Sequence, residues 1–107
     1  MKIYDSNSAF DILELIQKNP ERYLSDKSIT ALQDFINGYL SGNPYPDDQP
    51  PFWDFDTFLL SESEFEYKEG NRNLISRILM NECNHNEYES FNRFFKYLEL
   101  YKKKTSL

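Results

Sequence analysis

The sequence predicts an all-α protein, a single small bundle of about five helices with a proline-rich connector after the second main helix. Three observations carry this. Apolar residues recur at three- and four-residue steps in most of the long segments, which places them on one face of a helix. Start and stop signals bracket those segments. The chain is 107 residues long with 17% aromatic content, including nine Phe and eight Tyr. That ring area can fill one core despite a modest apolar fraction, so residues 1–107 read as one ordered domain.

Ser8 is expected to cap the first helix, with Asp11 three residues on as a short capping-box partner. Ala9, Ile12, Leu13 and Ile16 line one face, flanked by Phe10 and Leu15. Lys18 suits the negative end and Pro20 ends the helix. Asn19 before Pro20 reads as an N-cap and an N1 proline opening a short turn, with Glu21 near its positive end. Ser25 or Asp26 then caps the second main helix. Ile29, Leu32, Ile36 and Tyr39 or Leu40 share a face, and Phe35 widens it. Thr30, Gln33, Asp34 and Asn37 fall mostly on the other side. An interior glycine costs about 1 kcal/mol relative to Ala. Gly38 therefore predicts close contact with another helix, the second reading being a fray point. Gly42 suits a left-handed cap, and Pro44 forbids continuation.

Residues 43–51, NPYPDDQPP, hold four prolines and read as a stiff extended connector. Pro50 and Pro51 can start the helix FWDFDTFLL. Phe52, Phe55 and Leu59 share one face, and Trp53, Asp56 and Leu60 lie on a rotated one. Such a girth suits a central helix or one that offers a second face to a partner. In residues 61–70 Glu62, Glu64 and Glu66 alternate with Ser63, Phe65 and Tyr67, which reads as an irregular loop or a short edge strand. Asn71 or Asn73 caps a helix holding Leu74, Ile75, Ile78 and Leu79. Asn84 or Asn86 caps the last helix, with Glu87 or Glu89 at the third position. There Tyr88, Phe91, Phe95 and Leu98 form a stripe that Phe94 and Tyr101 widen. Lys102, Lys103 and Lys104 suit the negative end. Ile12, Ile16, Leu32, Ile36, Phe91, Phe95 and Leu98 are expected to be buried together.

The net charge is −6. It argues against binding bare DNA or RNA through a phosphate-facing surface, and fits a basic protein partner or plain solubility. The charge is concentrated. Asp47, Asp48, Asp54, Asp56, Glu62, Glu64, Glu66 and Glu69 face only Lys68 between positions 47 and 69, so that segment alone carries −7. Trp53, Tyr45 and Tyr67 lie inside it, and Trp and Tyr are favoured anchors. The candidate partner-binding residues are therefore Asp47, Asp48, Trp53, Asp54, Asp56, Glu62, Glu64, Glu66, Tyr67 and Glu69. The bland alternative is a solvated acidic surface with Trp53 in the core. The single cysteine, Cys83, cannot form an internal disulfide, and no signal peptide or membrane-length apolar run is evident, so a cytoplasmic protein is expected.

Other chemistry is poorly supplied, and no cofactor is expected. Cys83 and His85 stand two positions apart, which does not bring side chains face to face on a helix. Asp54 and Asp56 are paired carboxylates without a phosphate cradle or lysine-rich pocket to hold a substrate. They also open like a calcium loop, but the required glycine and closing glutamate are missing. Two candidate ligands fall short of the four of a zinc site.

The stretch NPERYL followed by SITALQDFINGY resembles a pattern of small all-helical bacterial immunity proteins: Pro-x-x-Tyr-Leu, then Ser-Ile/Leu-x-x-Leu-x-x-Phe-Ile/Leu-x-Gly-Tyr. FWDFDTFLL is similar to the short aromatic helix after their proline-rich loop, and ESFNRFFKYLELY to their closing aromatic helix. The resemblance covers over half the chain, through hydrophobic patterns that helical bundles share. It implies a protein from a polymorphic-toxin or contact-dependent growth inhibition system that binds a cognate toxin domain and neutralises it. The implied toxin is often a nuclease and hence basic, and this chain itself is expected to contact neither nucleic acid nor a membrane. The family carries no shared catalytic residues. The alternative is an interaction or regulatory module without a toxin, and an enzyme stands third.

Overall fold

In the computed structural model the described residues are 9–42, 53–66, 68 and 73–105. They form six helices: α1 (Ala9–Lys18), α2 (Pro20–Tyr23), α3 (Ile29–Gly42), α4 (Trp53–Glu62), α5 (Leu74–Glu82) and α6 (Glu87–Thr105), with no strand among them. The single turn α2 takes the count from the five expected to six. Ser8, the connector 43–51 and Asn71 lie outside the described residues.

The long α6 packs against α3, α4 and α5. Ile16, Leu32, Ile36, Phe91, Phe95 and Leu98 are buried as expected. Ile12 is not: it sits half-buried at the margin, and Phe10, Leu13 and Ile16 form the inner row of α1. Phe10 stacks on Tyr101 of α6 with ring centroids 5.6 Å apart. Phe94 and Phe55 are fully buried and meet edge to face at 5.5 Å, which joins α4 to α6. Tyr88 departs from the predicted stripe. It is 53% exposed, and the Lys27 ammonium lies 4.8 Å from its ring centroid. The apolar row of α6 begins one turn later, at Phe91.

Polar side chains tie the ends of α3, α5 and α6 together. Helix α3 starts later than predicted, because Ser28, not Ser25 or Asp26, is its cap. The Ser28 hydroxyl oxygen accepts from the Ala31 N–H at 3.1 Å and donates to Asp26 at 2.6 Å. The next orphan donor, Thr30 N–H, goes to Glu87 Oε1 at 2.9 Å, and the Thr30 hydroxyl goes to Glu87 Oε2 at 2.6 Å. Glu87 thus serves the N-terminus of α3 while opening α6, and its charge suits both positive helix ends.

Asn73 precedes α5 as expected, but in a left-handed conformation (φ 54°) and without a side-chain cap bond. The Ser76 N–H donates instead to Gln33 Oε1 on α3 at 2.9 Å. Gln33 passes its amide to Asn37 at 3.1 Å, and Asn37 donates to Asn73 at 2.9 Å. Gln33 is therefore buried, not on the polar side of α3. Asn19 precedes α2 without a side-chain cap bond either. Asn86 is the cap of α6: its Oδ1 accepts from the Glu89 N–H at 2.8 Å. Gly38 is exposed, and a Cβ placed there meets nothing within 4 Å, so close helix contact is not the reason for glycine at this position.

Candidate docking surface beside the fourth helix

Helix α4 carries acids in its first turn, Asp54 and Asp56, and Glu62 at its end. Acids suit the positive N-terminal end, whereas Glu62 opposes the negative C-terminal end, and no basic residue occupies that last turn. The fold separates these groups into different environments. Asp54 is half-buried and accepts the Tyr101 hydroxyl at 2.9 Å. It is a packing residue that locks α4 to α6. Asp56 is half-buried, its Oδ1 shut off from solvent with no hydrogen-bond partner. Burial pushes its carboxyl up to about 6. Both acids are thus less open to solvent than the glutamates they were grouped with in the sequence. Packing of Phe55 and Leu59 turns this side of the helix inward.

Glu62, Glu64 and Glu66 are exposed. Helix α4 runs through Ser61 and Glu62, two residues into the stretch read as a loop or edge strand, and closes through Ser63 N–H to Leu59 O at 3.1 Å; only from there do residues 64–66 continue without regular structure, as a loop. The alternation in the sequence is nonetheless real. Phe65 turns in against the core edge while Glu64 and Glu66 face solvent, so an extended segment anchored by one ring produces period two without a β ladder.

Glu62 and Glu64 line an open cleft of about 320 Å³ with Ser63, Ile78, Asn81 and Glu82. Glu82 is fixed in place. Its Oε1 takes Arg93 at 3.0 Å, and its Oε2 takes the Tyr97 hydroxyl at 2.7 Å. Burial, reinforced by the bond to Glu82 and by the nearby charges of Glu82 and Glu62, pushes the Tyr97 phenol up to about 12. The cleft is therefore lined by carboxylates from both the α4 and α5 sides and by the buried Ile78. Sequence reasoning missed Ile78, Asn81 and Glu82. They stand far along the chain from Glu62, and only the packing of α4 on α5 brings them alongside.

Of the other predicted partner residues, Asp47, Asp48, Tyr67 and Glu69 lie outside the described residues, as does the Trp53 side chain, though Trp53 opens α4. Cys83 is a free, half-buried thiol at the end of α5, and His85 is exposed in the following turn at φ 64°. Among the described residues no group of three or more His, Cys, Asp or Glu could hold a metal ion, and no helix is long and apolar enough to cross a membrane. No family model matches the chain, and no curated protein or solved structure matches it.

Proposed function

We propose that this chain is a bacterial immunity protein that binds a cognate basic toxin domain, a nuclease, in the cytoplasm and neutralises it by occluding its active site. The observation that carries the reading is the exposed glutamate rim, Glu62, Glu64 and Glu66, beside a cleft walled by Glu82. A cleft that binds nucleic acid is basic, and an acidic surface on a helical frame complements it. Long-range attraction would speed capture, and a few desolvated contacts would set the release rate. The resemblance of the helical segments to immunity proteins points the same way.

The test is co-expression with the product of the neighbouring gene. The expected result is a stable complex, loss of the partner's nuclease activity, and protection of cells that otherwise die. A partner that binds but is harmless when expressed alone would favour an interaction or regulatory module. Turnover of a substrate by the isolated chain would favour an enzyme. A C83A/H85A double variant should bind and protect like the parent, since the reading gives neither residue a role.

A further inference from the structure

Asp56 follows Phe55 in α4 and sits three residues before Leu59, and both apolar neighbours are fully buried. Its carboxylate is caught between two environments. The residue is half-buried, but Oδ1 is sealed from water and receives no hydrogen bond. An ionised oxygen in that setting has lost its hydration without a replacement donor, whereas a neutral acid loses far less.

Among the described residues, several groups on the helices packed against α4 are engaged elsewhere. From α6, the Tyr101 hydroxyl is given to Asp54, and the Lys104 ammonium lies over the Phe58 ring at 5.6 Å. Tyr97 on α6 and Glu82 on α5 bond to each other, with Arg93 on the same carboxylate. On α4 itself the other charged residues are Asp54 and Glu62, so the helix offers Asp56 no positive partner. The N-terminal end of the helix favours an ionised acid, yet burial prevails.

We propose that Asp56 is a protonation switch for the docking of α4: the neutral acid lets α4 sit tightly on α5 and α6, and the ionised form loosens that packing. The direction follows from linkage. The carboxyl is raised from its ordinary value of 3.8 to about 6. Its stabilising contribution is complete below the ordinary value and is lost as pH rises through 6. A displacement of this size corresponds to at most roughly a hundredfold in the opening equilibrium.

Hydrogen exchange of the α4 amides tests this on the whole chain, comparing the parent with Asp56→Asn at each pH so that intrinsic rates cancel. At pH 7.5 the variant should exchange more slowly by roughly tenfold to a hundredfold. At pH 4 the two proteins should exchange alike. Equal rates at pH 7.5, or a gap that persists at pH 4, would overturn the switch. A carbon-13 titration of the Asp56 carboxyl in the unaltered protein gives a second reading that needs no variant. A midpoint near 6 supports the proposal, and a midpoint below 5 refutes it.

Discussion

The corner where α3, α5 and α6 meet differs sharply from the acidic side of α4. At the corner, exposed helix ends and buried polar groups find partners. Glu87 serves α3, Gln33 serves α5, and Ser90 donates to the Leu79 carbonyl at 3.1 Å. Beside α4, one carboxylate oxygen is buried without a donor, and three glutamates stand in solvent, two of them lining a cleft. Each partnered group at the corner also fixes the position of one helix against another. The glutamates beside α4 fix no helix in this way. Folding accounts for the first set, and the binding test below asks whether the second set has a role beyond solvation.

The aromatic core common to both regions sets the largest expected effect. Phe94 is fully buried and touches Phe55 and Phe95, with centroids at 5.5 and 4.9 Å. Phe94→Ala should cost about 3–5 kcal/mol in urea unfolding, and the loss should reach α4 as well as α6. A loss below about 1 kcal/mol would mean the two regions do not share one core.

Gln33→Leu tests the corner alone. It keeps comparable bulk but removes both the acceptor for the Ser76 N–H and the donor to Asn37. The expected cost is about 1–3 kcal/mol, the range for a buried donor left unmade. The contrast with Asp56→Asn is the useful part. Removing polarity at the corner should destabilise, while neutralising it in α4 should stabilise at neutral pH. If both changes destabilise, the distinction between the regions fails.

The two regions also differ in how legible they were in the sequence. The inner rows of α3 and α6 followed from spacing, because burial of one helix face is a local, periodic signal. The sequence narrowed the cap of α6 to Asn84 or Asn86, and the bond from the Glu89 N–H decides for Asn86. Gln33 did not follow from spacing, since its burial depends on an orphan N–H of α5, and that helix end lies 43 positions away. The start of α3 was placed too early, at Ser25 or Asp26, because several neighbouring residues suit a cap; Ser28 accepts the Ala31 N–H, and Asp26 instead accepts from the Ser28 hydroxyl. Gly38 misled through a sound rule, as glycine inside a helix often marks contact, and here the space is open. The acidic segment was visible as composition. Its division into a packing residue, a half-buried acid and an exposed rim required the third dimension.

The smallest expected effect on stability is the one that bears most on function. Glu62→Lys, Glu64→Lys and Glu66→Lys together should leave the melting temperature nearly unchanged. All three side chains are exposed, and Glu62 opposes the negative end of α4, so reversal there relieves a mismatch. Binding should respond differently. The three glutamates lie within five positions of one another in the sequence, with Glu82 lining the same cleft as two of them. Attraction from such a group extends over about one Debye length, roughly 8 Å at physiological salt. Reversal should therefore slow association with the basic partner and flatten the dependence of that rate on salt, with a smaller change in dissociation. Stopped-flow association at several salt concentrations, with melting curves on the same samples, separates the two effects. An unchanged association rate in a protein that still melts normally would place the interface elsewhere, and the glutamates would then be ordinary solvated surface.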